Sequence, residues 1–531
     1  MKRDPALATR QRYSRARASD IRAIIISPTR ELAEQIAVEA SKLCQNTDLI
    51  VQVAVGGVNK RGMLMKTRRE GCHLLVATPG RLNDLLSDEY SGISAPNLNT
   101  LVLDEADRLL DDGFSKDIDV IQGLLPDRRV VDRQTLLFSA TMPREVMGLV
   151  RRTLKPGFLF VHTVKEGDLA THEKVPQQII IVPGLENYMP TLLELCLRET
   201  QKYEELVKEG NPEAKPFKAI VYFTNTAQVV LSHEIFDNLR SDTGSQFKHP
   251  LYPTEISVMH GQLSQEQRTR VSDRFRKCKT GLMFSTDVTA RGMDFPNVTH
   301  VIQIGLPPSR EQYIHRVGRT GRGDKTGDGV LICCLSEVPE ARRMMHQIPI
   351  IPDKSFEASK VDMTKDAQLP KSLASILTQV ADATKSASRR NKVDAYHALL
   401  GHMAKKPGGI KALGQWTRYG WGWEEPPEIN AGKVAKMGIR SREGLNITTN
   451  ARSEFEEEDR GFGGSSRGFG GRSDSGGYRG RSDSGGFGGR GGGSSFGRGR
   501  GGGSSGFGGR SSGGSGGYGG GRGGDRAPSS F

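Results

Sequence analysis

Between residues 20 and 165, short apolar runs alternate with amphipathic ones. The runs IRAIIIS, LIVQVAVGG, CHLLVAT, TLVLDEA and QTLLFSAT are rich in β-branched residues and predict buried strands. Between them, ELAEQIAVEASKLCQ and GRLNDLLSDEY repeat their apolar residues at three and four, which predicts helices. Such alternation predicts a parallel sheet covered on both faces. After a charged connector the pattern restarts over residues 175–345, with QQIIIVP, FKAIVYFTNT, EISVMHG, TGLMFST, HVIQIG and GVLICCL as strands. The expected fold class is therefore α/β, with two parallel-sheet domains in succession.

Two further segments break the alternation. Residues 350–447 read as a helical, basic stretch that carries all three tryptophans, Trp416, Trp421 and Trp423. Their bulk favours docking or core aromatics over stacking platforms. Residues 453–531 are glycine, serine, arginine and single aromatics, a composition that cannot bury enough apolar surface to offset chain entropy, so disorder is expected there. Residues 1–19 read as a basic linker.

Charge narrows the partners. The chain of 531 residues carries a formal net charge of +14, which favours a polyanion. No apolar run approaches the roughly 18 residues needed to span a bilayer, so no membrane role is expected. Six cysteines show no CxxC spacing, and the adjacent Cys333 and Cys334 sit inside an apolar strand; neither a zinc site nor a disulfide framework is indicated.

The candidate chemistry sits at strand ends. The strand LVL ends in Asp104-Glu105-Ala106-Asp107, and carboxylates in that place suit Mg²⁺ and the activation of a water. Taken singly, PTREL (residues 28–32), VGG (55–57), TPGR (78–81) and SAT (139–141) are ordinary caps and turns. Their order decides the matter. Together with IVYFTNT, HGQLSQEQR (260–268), STDVTARGMDFPNV (285–298) and HRVGRTGR (315–322), they make residues 20 to about 337 resemble the DEAD-box RNA helicases.

That resemblance implies two RecA-like domains, ATP and Mg²⁺ as cofactors, and RNA as partner. It implies catalytic roles for Asp104 (the Mg²⁺ ligand), Glu105 (orienting the attacking water), and Arg319 and Arg322 (arginine fingers), with Asp107 and Asp294 also on the nucleotide. It implies RNA-backbone contacts from Pro28, Thr29, Arg30, Gly57, Thr78, Gly80 and Arg81 in the first domain, and from Thr286 and Gly292 in the second. Ser139, Thr141 and His315 are expected to couple nucleotide state to domain closure. Hydroxyls, glycine amides and arginines suit phosphates and 2′-hydroxyls, giving grip without base readout.

One expected element is missing. Nothing before Pro28 reads GxxxxGK[ST], nor is there an aromatic-plus-glutamine adenine reader. GRTGRGDKTG (318–327) has one residue too many before its lysine. The expectation is a first domain lacking its phosphate-loop strand, left with open sheet edges, in a chain that is a piece of a longer one.

Residues 391–439 resemble the C-terminal extension of fungal mitochondrial DEAD-box helicases that act as general RNA chaperones in intron splicing. The tail's arginines, with Phe462, Phe469, Tyr478, Phe487, Phe496, Phe507 and Tyr518, favour RNA tethering. The function expected is an ATP-dependent RNA helicase and RNA chaperone. The alternatives are a noncatalytic RNA-binding protein and a DNA helicase. A mitochondrial matrix location is expected, with cytoplasm or nucleus as alternatives.

Overall fold

The computed structural model describes residues 17–448, apart from 112, 128–129, 141–143, 162–174, 242–248, 291–292, 322–325, 347 and 440–442. The predicted tail lies outside these residues, as do Thr141, Gly292 and Arg322. Residues 1–453 form one compact unit, and all that follows concerns it.

The first sheet has five parallel strands: β1 (Ala23–Ile26), β2 (Val51–Ala54), β3 (Leu74–Ala77), β4 (Thr100–Leu103) and β5 (Gln134–Leu137), ordered β2-β3-β1-β4-β5. Every pairing is parallel. Ile24, Leu101 and Leu103 are fully buried, as the apolar runs predict. The β5 edge is different: Leu136 and Leu137 are only half-buried, and Phe138 beyond them is 55% exposed.

The second sheet has seven parallel strands: β6 (Gln177–Val182), β7 (Lys218–Tyr222), β8 (Glu255–Met259), β9 (Gly281–Ser285), β10 (His300–Ile304), β11 (Asp328–Cys334) and β12 (Ile350–Pro352). Their order is β12-β6-β11-β10-β7-β9-β8. Six of these follow the apolar runs. The seventh, β12, falls in the stretch expected to be helical; Ile351 is exposed, so the strand has no apolar run to announce it. A second departure is the parallel pair β13 (Glu428–Asn430) with β14 (Asn446–Thr448).

The extension otherwise is helical, with helices Lys371–Ser386, Arg389–Met403 and Gly409–Gln415. It does not stand apart from the second domain. One apolar core runs from Ile180, Leu192 and Phe236 into Val380, Tyr396, Leu400, Met403 and Leu413. Trp421 is buried in it, with its ring centroid 4.5 Å from that of Trp416 and 5.2 Å from that of Trp423. The tryptophans are packing elements, as their bulk implied.

A buried charge pins the same joint. Glu337, just past β11, accepts from the Tyr188 hydroxyl at 2.6 Å and from the Cys334 N–H at 3.3 Å. Lys406 of the extension reaches it at 3.0 Å, and the two side chains are 4% and 6% exposed. Burial alone would raise the Glu337 pKa; the Lys406 charge and these donors outweigh it and hold the carboxyl below its ordinary value. A depressed carboxyl contributes stability above the unfolded-state value of about 4.3 and loses it as pH falls through the folded value.

Replacing Lys406 by Met should strip that charge of its partner and destabilise the second domain and extension by about 3 kcal/mol. Denaturant unfolding at neutral pH measures it. The deficit should shrink as the pH falls through the depressed folded-state value of Glu337, below which the carboxyl is neutral in both proteins.

Candidate functional site

Most of the motifs lie at the C-terminal ends of strands, where open parallel sheets bind their ligands, whereas HRVGRTGR runs from the last turn of the helix Arg310–Val317 into the loop after it. In the first domain they divide by sheet order. Those after β2, β3 and β1 form one side, and those after β4 and β5 form the other.

On the first side, Thr29 caps the helix Arg30–Leu43, accepting the Leu32 N–H at 3.3 Å. Its neighbour Arg30 lies across the glycine turn. A Cβ on Gly57 would meet Arg30 Nη1 at 2.1 Å, and Gly57 has φ +73°. Only glycine permits both the turn and the guanidinium. Thr78 is the N-cap of helix Pro79–Ser87, yet its hydroxyl makes no capping bond, and nothing lies within 4 Å of a Cβ built on Gly80. Arg81 donates to the Val58 carbonyl at 3.0 Å. Pro28 is buried under this loop cluster. The structure thus brings Arg30 and Gly57 together, and ties Arg81 to the segment just after Gly57.

On the other side, the chain bends sharply at the carboxylates. Glu105 has φ +46°, a conformation that costs a non-glycine residue of order 1–3 kcal/mol and that surrounding structure must enforce. The Glu105 N–H donates to Asp104 Oδ1 at 3.0 Å, the Ala106 N–H to the Phe138 carbonyl at 2.9 Å, and the Asp107 N–H to Ser139 Oγ at 3.3 Å. The carboxylate turn is therefore bonded to the segment after β5. Burial, and then the nearby Asp107 charge, raise the Asp104 pKa, with the Glu105 N–H acting against them.

Second-domain residues meet both sides. His315 Nε2 stands 3.6 Å from Asp107 Oδ2, with both side chains buried. Arg108 donates to the Asp287 carbonyl at 3.3 Å, and Asp287 is held by Arg316, whose Nε lies 2.6 Å from Asp287 Oδ1. Farther along the cleft, Arg268 Nη2 lies 2.8 Å from Glu31 Oε1, with side chains only 10% and 7% exposed; Gln265 donates to the same oxygen at 3.1 Å. The Asp294 N–H donates to Gln35 Oε1 at 3.3 Å. Burial and then Glu31 raise the pKa of the adjacent Glu34.

Two expected residues are placed differently from the carboxylates. Arg319 donates to the Met293 carbonyl at 2.8 Å and to that of His315 at 3.3 Å. Asp294 contacts Gln35 and, through its carbonyl, Arg276 at 3.1 Å. Thr286 caps a short 3-10 turn, Asp287–Thr289. The sequence reading missed Glu31, Gln265, Arg268, Arg108, Asp287 and Arg316. Each lies inside or beside a quoted motif, but its partner is distant in sequence, so no local signal marked it.

Comparisons with known proteins agree on one family. The model described as "DEAD/DEAH box helicase" matches residues 5–149, and "Helicase conserved C-terminal domain" matches 201–324. The chain is 50% identical over 452 residues to "ATP-dependent RNA helicase mss116, mitochondrial" of Aspergillus fumigatus, covering 84% of this chain and 68% of that protein. It is 47% identical over 456 residues to "ATP-dependent RNA helicase cyt-19, mitochondrial" of Neurospora crassa, covering 85% and 70%. Among solved structures, that of Mss116p bound to ssRNA and AMP-PNP covers 80% of each chain with TM-score 0.62 at 26% identity. On this identity and coverage, the chain belongs to the DEAD-box family of ATP-dependent RNA helicases.

Proposed function

We propose that this protein is an ATP-dependent RNA helicase and RNA chaperone of mitochondria, coupling ATP hydrolysis to local RNA strand separation. The observation that carries the reading is the buried cross-domain pair Glu31–Arg268. It makes the grip on the strand depend on the approach of the two sheets. The mitochondrial assignment rests on the two relatives named as mitochondrial helicases, and a matrix location is the finer form of it.

The residues divide the work by position. Pro28, Thr29, Arg30, Gly57, Thr78, Gly80 and Arg81 offer hydroxyls, an exposed helix N-terminus and two guanidiniums to the backbone of one strand, joined from the second domain by Thr286 and Gly292. Glu105, fixed by its strained backbone, orients the attacking water. Arg319 and Arg322 stabilise charge developing on the γ-phosphate, and Asp294 and Asp107 complete the nucleotide side. Ser139, Thr141 and His315 pass the nucleotide state between domains: Ser139 holds the Asp107 amide while His315 meets its carboxylate.

The donor set fits Mg²⁺. Burial and a second nearby carboxylate raise Asp104's pKa, an excess of negative charge that a cation relieves. Such an ion is held by one or two carboxylates with waters and phosphates, and Asp104 with Asp107 nearby supplies carboxylates of that kind. Asp104 would hold it, and it would supply neutralisation of phosphate charge.

RNA-stimulated ATP hydrolysis by this chain is the test. Glu105→Gln keeps the shape of the turn and removes the group that orients water, so stimulated turnover should fall about a thousandfold with RNA binding retained. RNA binding without any stimulated turnover in the parent chain would instead leave the noncatalytic reading standing.

Arg268→Ala strands Glu31 in the cleft. The closed arrangement should lose about 3 kcal/mol, roughly a hundredfold in population. A fluorophore pair, one on each domain, reads this as lost high-transfer population with RNA and nucleotide present. Unchanged transfer would mean that the pair does not govern closure.

A further inference from the structure

Beyond the strand-gripping loops, the first domain carries a basic face that none of the motif roles uses. The helix Lys60–Glu70 begins three residues after Gly57 and reads KRGMLMKTRRE, five cations to one carboxylate. It buries only Thr67, so packing alone does not account for its composition. Against its outer side lies a groove of about 580 Å³ lined by Lys60, Arg61, Leu64, Met65, Arg68 and Tyr90.

The charges in this groove are not equally available. Lys60 is held by Asp84 at 2.7 Å and Asp88 at 3.0 Å, and Arg69 by Glu70 at 2.8 Å. Among the described residues Arg68 forms no ion pair, although Asp88 lies close enough to feel its charge. Its guanidinium donates to the Ser91 carbonyl at 2.8 Å and to that of Tyr90, and so keeps its charge while fixing the turn that bears Tyr90. The same turn is tied by the Tyr90 N–H to Asp88 Oδ1 at 3.0 Å and by Ser91 Oγ to the Leu85 carbonyl at 2.7 Å. On this fixed backbone the Tyr90 residue is 89% exposed. An aromatic ring held out in solvent beside arginines is the combination that grips single strands, stacking a base while cations take the phosphates.

The groove is also continuous with the proposed RNA surface. Asp84, which holds Lys60, lies 3.7 Å from Arg81 Nε as well, and Arg81 is bonded to Val58 next to the glycine turn. The helix Lys60–Glu70, about 16 Å long, thus leads from beside the glycine turn to Arg61 and the Tyr90 turn.

We propose that this groove is an accessory site for the single-stranded RNA that flanks the segment held in the cleft, with Arg61 and Arg68 on phosphates and Tyr90 stacking a base. The proposal rests on the RNA reading of the cleft given above. It extends that reading by giving the strand a second, sequence-independent hold on the first domain alone.

The test uses the full chain and two oligouridylates, one of about ten nucleotides to fill the cleft and one of twice that length to reach beyond it. In the double variant Arg61→Glu, Tyr90→Ala, affinity for the longer strand should fall roughly tenfold, with the salt slope about 0.7 to 1.4 shallower, while the shorter strand is bound as before. Ultraviolet crosslinking of the longer strand should mark the peptide containing Tyr90. Tyr90→Trp, which keeps a stacking face, should retain parental binding. If the parent binds both strands and the double variant matches it on the longer one, the accessory site falls and the cleft reading survives. If the parent binds neither strand, both fall together. Competition by polyglutamate as effective as by RNA of equal charge would assign the groove to an acidic protein and overturn the proposal.

Discussion

Everything in the cleft depends on two opposite charges that are buried only because they come from different domains. Glu31 belongs to the first turn of the helix after β1, and Arg268 to a helix after β8. Joined, the two side chains are only 7% and 10% exposed. Buried ion pairs of this kind repay little more than their own desolvation, and their value lies in fixing one geometry over others. Glu31 Oε2 and Arg268 Nε are moreover buried without hydrogen-bond partners among the described residues, so the pair is under-satisfied as well. The pair therefore specifies how the domains meet without supplying much energy to bring them together. That energy must come from ligands that bind the two edges jointly, which is the requirement for a switch rather than a permanent clamp.

The same helix that carries Glu31 carries Arg30, which lies over Gly57, and Gln35, which accepts from Asp294. One rigid element thus touches the strand-gripping loops and the second domain at once. The carboxylate turn has the corresponding arrangement on the other side: Asp107 meets His315 and Ser139, and the next residue, Arg108, meets Asp287. Asp287 is in turn fixed by Arg316, fully buried against Gln303 and over the Tyr222 ring. Two parallel routes therefore cross the cleft. The carboxylate turn is thus connected to the second domain as well as to the segment after β5.

Much of this was legible in the sequence and some was not, for identifiable reasons. Eleven strands stand out because a parallel strand buried on both faces is apolar throughout. β12 and the β13–β14 pair are three-residue strands, too short to show a pattern. The helix Lys60–Glu70 shows no apolar periodicity because it buries one threonine. At the site, Asp104, Glu105, Arg30, Gly57, Ser139 and His315 were readable as members of an ordered motif set. Glu31 read only as a first-turn carboxylate, since that place is favourable for an acid in any helix. Its second role depends on a partner more than two hundred residues away, and no local pattern encodes such a pair.

The extension completes the logic of the second domain. An interface between separable domains keeps polar groups and water at its seam. Here the seam is closed by Tyr396, Leu400, Met403 and Leu413 packed into the sheet's own core, and by a carboxylate that has its lysine from the far side. A body joined in that way cannot lag behind when the sheet moves. The helices of residues 371–415 are thus held in a fixed relation to the sheet that carries His315 and Arg268. An RNA strand held by the first domain's loops would, on the proposed reading, meet the second sheet and the extension as one joined body. On the proposed reading this makes strand separation a consequence of shape: the strand fits the closed cleft, and a duplex partner along the same path does not.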